Sequence, residues 1–137
     1  MPEQMAEGFE KLDAFQVAMD LTEQIYRLTK RFPDDERFGL TSQLRRASCS
    51  VVSNIVEGYG RLGRGEYIKH LGYARGSACE VKAQLMISRR IGIEIDEPVF
   101  KLAEREIMVL NKLIAKLREG YVKESPSTYG EDLLDNS

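Results

Sequence analysis

The sequence reads as all-α, an antiparallel up-down-up-down bundle of four helices with apolar surface left over for self-association. Three features carry this reading. Apolar residues recur at spacings of three and four through four long segments, none alternates as a half-buried strand would, and connectors of about 5 to 10 residues suit antiparallel neighbours. With 137 residues, 42% of them hydrophobic and 31% charged, the chain suits one globular domain able to bury a core. The expected layout is a flexible start over 1–9, the bundle over 10–118 and an acidic, mobile tail over 119–137.

The first helix is expected over about 10–31. Asp13, Gln16, Asp20, Glu23, Arg27 and Lys30 mark one wet face, and apolar residues from Leu12 to Leu28 cover well over half of the helical wheel. That arc is wider than one bundle core requires, so a second buried surface is expected. Pro33-Asp34-Asp35 ends the helix, and Thr41 or Ser42 can cap the next.

The second helix, about 41–58, places Leu44, Ala47, Ser48, Val51, Ile55 and Gly58 on one side as a seam of small residues. Arg46, Ser50, Ser53, Asn54 and Glu57 form a polar strip on the other. Such a strip commonly reports helix packing, with Ser and Asn bonding across the contact. The third helix, about 65–91, buries Tyr67, Ile68, Leu71, Ala74, Ala78, Val81 and Leu85, while Arg75, Lys82 and Arg89 follow at seven-residue intervals along one edge. Gly92 and an acidic connector stop it. Pro98 suits the first turn of the fourth helix, about 98–118, whose wide apolar arc contains Glu106.

A formal charge of −2 hides an uneven distribution. Residues 43–90 hold nine bases against Glu57, Glu66 and Glu80, between acidic flanks. A basic middle attracts polyanions, which makes Arg45, Arg46, Arg61, Arg64, Arg75, Lys82 and Arg89 candidate phosphate contacts. No apolar run approaches the ~18 residues of a membrane span and no secretory signal opens the chain, so a cytoplasmic protein is expected. Cys49 and Cys79 lie within helical patterns without metal-ligand spacing and are expected to be small buried thiols.

Gly58, Gly60 and Gly63 reproduce the spacing G-x-G-x-x-G, yet a helix rather than a strand leads into them and no G-K-[ST] follows. Dinucleotide and P-loop readings therefore fail on context. The glycines suit a chain reversal, with Gly58 or Gly60 expected in the left-handed conformation. The start of the third helix, beside Arg61 and Arg64, could hold one backbone phosphate. The single histidine, His70, has no nucleophile at a recognisable spacing, and the paired E-x-x-H ligands of a di-iron bundle are missing. No catalytic residue, metal or cofactor is expected.

The run 25–61, with Phe32-Pro33, Gly-Leu-Thr-Ser-Gln-Leu-Arg-Arg-Ala at 39–47 and Ser-Asn-Ile-Val-Glu-Gly at 53–58, is followed by Gly-Ser-x-x-Glu at 76–80. Together these resemble the bacterial four-helix bundle proteins, also called 23S ribosomal RNA intervening-sequence proteins, over about residues 9–118. The resemblance implies an antiparallel bundle commonly assembled as a ring of five, with no established enzyme activity. It marks Ser53, Asn54, Glu57 and Glu80 as polar motif residues. Some members are encoded within ribosomal RNA genes, and a related branch serves retroelement reverse transcriptases as an accessory, so the resemblance implies RNA or DNA as partner. The leading expectation is a non-enzymatic oligomer contacting nucleic acid through the basic middle. The alternatives are a scaffold whose arginines pair with acids across subunits, and a small-molecule or catalytic site around Asn54, Glu57 and Glu80.

Overall fold

The computed structural model describes residues 8–124; the expectations for 1–7 and 125–137 lie outside the described residues. The described residues form four α-helices, α1 (Asp13–Thr29), α2 (Leu40–Tyr59), α3 (Arg64–Arg90) and α4 (Glu97–Glu124), with 3₁₀ turns at Phe9–Lys11 and Asp34–Glu36. Among the described residues there is no strand. Each helix packs on two neighbours in the cyclic order α1–α2–α3–α4–α1 and the diagonal pairs stay apart, which makes a four-cornered bundle.

The first helix is shorter than its periodicity suggests. Its expected first residues form the separate turn Phe9–Lys11, whose Phe9 ring packs edge-on against Phe15 at 5.0 Å and Tyr59 at 6.2 Å. The cap of α2 also differs from expectation. Gly39 stands at the N-cap, Thr41 and Ser42 lie inside the helix, and the Glu36 carboxylate accepts the Leu40 N–H at 3.1 Å.

Neither Gly58 nor Gly60 turns left-handed. Gly60 keeps φ −77, and the reversal into α3 is made by a short connector whose Gly63 is extended. What Gly58 provides is space, because a Cβ there would lie 2.6 Å from the Cβ of His70 on α3. The left-handed position is Gly92, at φ 97, just beyond α3. Its N–H bonds to Arg89 O at 3.0 Å and that of Ile93 to Ser88 O at 2.9 Å, the paired closure that a glycine after a helix permits. At the other end, α4 continues through Gly120 to Glu124 instead of stopping near 118. The position is occupied from the side: a side chain at Gly120 would collide with the Arg64 guanidinium.

Two apolar clusters fill the interior. One gathers Leu21, Ile25, Leu44, Val81, Leu85 and Val99 with Phe32 and Phe100 at its end; the other gathers Ala18, Val51, Ile55, Leu71, Ala74 and Leu110. Burial of these side chains, at roughly 1.5–3 kcal/mol for each large one, is the main force closing the bundle. Between the clusters α2 contributes Ser48 and α4 contributes Glu106, both fully buried. The wide apolar arcs of α1 and α4 are mostly used within the chain. Among the residues whose exposure is described, the exposed large apolar side chains of these two helices are Met19, Tyr26 and Met108, because each helix meets two neighbours.

Candidate functional site

The polar side chains singled out from the sequence gather along the two edges of α3. On the edge facing α2, Arg46 donates to Glu80 at 2.5 Å, and Gln84 donates to both Gln43 at 3.0 Å and Glu80 at 3.1 Å. One turn on, the Ser50 and Ser77 hydroxyls lie 2.8 Å apart. Asn54 then donates to the Ser50 carbonyl at 3.0 Å and hydroxyl at 3.1 Å, and its own oxygen is 3.4 Å from Nδ1 of the buried His70. Glu57 approaches the same ring nitrogen at 3.6 Å. Ser53 stands exposed outside this network.

The edge facing α4 is built from the seven-residue row. Arg75 Nε donates to Asn111 at 2.5 Å, Lys82 pairs with Glu104 at 3.4 Å, and Arg89 pairs with Glu97 at 2.8 Å. Seven residues forward on α3 match seven residues back on α4, as an antiparallel pair of helices in heptad register requires. Arg89 also donates to the Ile95 carbonyl at 2.9 Å and lies over the Phe100 ring at 4.2 Å. Its bond holds the Glu97 carboxyl below the usual carboxylate range.

All seven basic residues singled out as phosphate contacts are therefore engaged within the chain. Besides the four just described, Arg45 donates to Thr29 at 2.9 Å and lies over the Tyr26 ring at 4.6 Å. Arg61 approaches Glu57 at 3.5 Å, and Arg64 reaches the space beside Gly120. The trio Asn54, Glu57 and Glu80 is not one cluster: the first two meet at His70, and Glu80 belongs to the Arg46 pair. A second periodic row would have revealed these partners. Glu97, Glu104 and Asn111 repeat on α4 the seven-residue spacing of the basic row, and His70, Ser77, Glu80 and Gln84 line the edge of α3 that meets the strip on α2.

The cysteines depart from expectation as well. Cys49 is exposed and Cys79 half-buried, because both point away from the apolar clusters; the Cys49 sulfur lies 3.6 Å from the Tyr26 hydroxyl. Among the described residues no group of three His, Cys, Asp or Glu side chains converges as metal ligands would.

Glu106 stands apart from these pairings. It is fully buried, neither carboxylate oxygen has a hydrogen-bond partner among the described residues, and burial pushes its pKa up to about 9. Its neighbours on the same face, Ala103 one turn before and Leu110 one turn after, belong to different apolar clusters. It is thus held as the neutral acid at the waist of the bundle, and it meets neither Glu57 nor Glu80 in a shared carboxylate site.

Fold and site together define an antiparallel four-helix bundle whose polar strips serve its own helix seams. The chain belongs to the 23S rRNA-intervening sequence protein family, whose pattern matches residues 10–127. A solved structure from Bacteroides thetaiotaomicron VPI-5482, described as a protein with unknown function from the S23 ribosomal protein family, is similar with a TM-score of 0.69. It aligns over 74% of this chain and 95% of that chain at 20% identity, a level at which the likeness shows the fold. The comparison with curated proteins finds no match.

The waist carboxyl sets a pH dependence. Native Glu106 keeps its proton up to about pH 9, whereas the unfolded chain releases it near 4.5, so its contribution to stability is full below 4.5 and is lost as pH rises toward 9. Urea denaturation between pH 5 and pH 9 is expected to show a falling midpoint that Glu106→Gln flattens. Glu106→Leu is expected to raise stability at pH 8 by about 1–3 kcal/mol, because it removes an unpartnered buried polar group. Equal pH slopes in wild type and Glu106→Gln would contradict this assignment.

Proposed function

We propose that the protein is a non-enzymatic helical module that works by assembling with copies of itself through the outer face of α3. The carrying observation is the composition of that face. Tyr73, Met86 and Ile87 are 51%, 54% and 50% exposed, and Ile91 beyond the helix end is 56% exposed. Beside them, Gly72 and Gly76 open onto empty space, where a Cβ would meet nothing within 4 Å. A glycine inside a helix costs about 0.8–1 kcal/mol relative to alanine, and nothing inside the subunit repays it here. A second helix approaching closely would, and exposed apolar side chains flanking a smooth strip are what such a contact buries. Self-association was expected from α1 and α4; the exposed apolar residues favour α3 instead. The ring of five implied by the family resemblance is one assembly that such a face can serve.

Among the described residues, His70 Nδ1 faces Asn54 and Glu57, and its Nε2 lies 4.0 Å from Glu66. That arrangement supports a structural role for the polar strip. Sedimentation of the full chain at about 10 μM is expected to give a mass above 15.6 kDa. Ile87→Glu or Gly76→Glu should weaken association at least tenfold, about 1.4 kcal/mol, without unfolding the subunit. A wild-type monomer would overturn the proposal. Association that survives both variants would move the contact elsewhere.

A nucleic-acid role is a second reading, favoured by the solvent exposure of several ion pairs. Arg46 with Glu80, and Arg61 with Glu57, are partly or largely open to water, and such pairs are worth only about 0–1 kcal/mol, so a phosphate could displace the carboxylate. The name of the family points the same way. Binding of this kind is indifferent to sequence and weakens steeply with salt. Arg61→Ala with Arg64→Ala should flatten the slope of log K against log salt by roughly one to two units. No retention of RNA or DNA at about 50 mM salt would remove this reading.

A further inference from the structure

Between the start of α1 and the middle of α4 lies an open groove of about 600 Å³. Leu12, Met108, Val109 and Leu113 form its apolar floor, and Arg105, Lys112 and Lys116 stand along its rim with Asp13 opposite. These three cations differ from the seven described above: among the described residues they have no ion pair or hydrogen bond. An apolar floor edged by unpartnered cations fits a short peptide that carries adjacent apolar residues between acids.

This chain contains such a segment. Glu131, Asp132, Leu133, Leu134 and Asp135 follow one another a few residues after α4. The reach is sufficient. From Glu124 back to Val109 is about 22 Å along the helix at ~1.5 Å per residue, and residues 125–133 can span up to roughly 30 Å. We propose that residues 131–135 lie in this groove of their own chain, with Leu133 and Leu134 on the floor and the acids facing Lys116, Lys112 and Arg105. The contact uses no residue of the outer α3 face and stands independently of assembly through it.

Lysine acetylation of the full-length protein, followed by mass spectrometry, tests this directly. Lys112 and Lys116 are expected to react at least threefold more slowly than the exposed Lys69 and Lys101. The protection should be independent of protein concentration and should weaken at high salt. It should disappear in the variant carrying Leu133→Ala, Leu134→Ala and Asp132→Lys, whose changes all lie outside the bundle. Equal reactivity of all four lysines would overturn the proposal. So would protection that persists in the variant, or that rises with protein concentration, since the occupant would then be a second copy.

Discussion

Everything in the bundle depends on the register of α3, and that register is held from both sides by polar ladders. Toward α4, Arg75, Lys82 and Arg89 meet Asn111, Glu104 and Glu97 in strict antiparallel step. Toward α2, Gln84, Glu80, Ser77 and His70 meet Gln43, Arg46, Ser50 and Asn54 in the same sense. Each exposed pair contributes little alone. Their value lies in agreement, because sliding α3 by one turn along either neighbour would break a whole ladder at once. The small residues depend on the same alignment: Gly58 must stay beside His70, where a side chain of any kind would not fit.

Within this frame the interior is divided. An apolar cluster closes each end, and Ser48 and Glu106 mark the boundary. An unpartnered neutral acid costs stability compared with an apolar residue of similar size, which makes the waist the least favourable layer of the core. The ladders and the two clusters outweigh that cost, so the bundle closes around a group it would be more stable without.

Much of the fold was legible from periodicity. The buried side of α2, from Leu44 to Gly58, and the buried side of α3, from Ile68 to Leu85, match the apolar spacing closely. What the spacing could not supply was the partner of each polar row. A row of basic residues every seven positions looks the same whether it faces phosphates, solvent or a neighbouring helix, and only the matching row of Glu97, Glu104 and Asn111 separates these cases. Local conformation was harder still. Several glycines near one turn made a left-handed residue plausible at Gly58 or Gly60, but a glycine can equally serve close packing, and the left-handed one proved to be Gly92. The apolar arcs of α1 and α4 are wide partly because each of these helices meets two neighbours in the bundle.

The basic row of α3 acts first as a register device. Charge reversal at one rung tests it most directly, through urea denaturation of Lys82→Glu, Glu104→Lys and the doubly substituted chain. Each single reversal is expected to lower stability by about 0.5–1 kcal/mol, by setting like charges together, and the swapped pair to recover most of the loss. Single reversals that leave stability unchanged, with no coupling between the two positions, would contradict it.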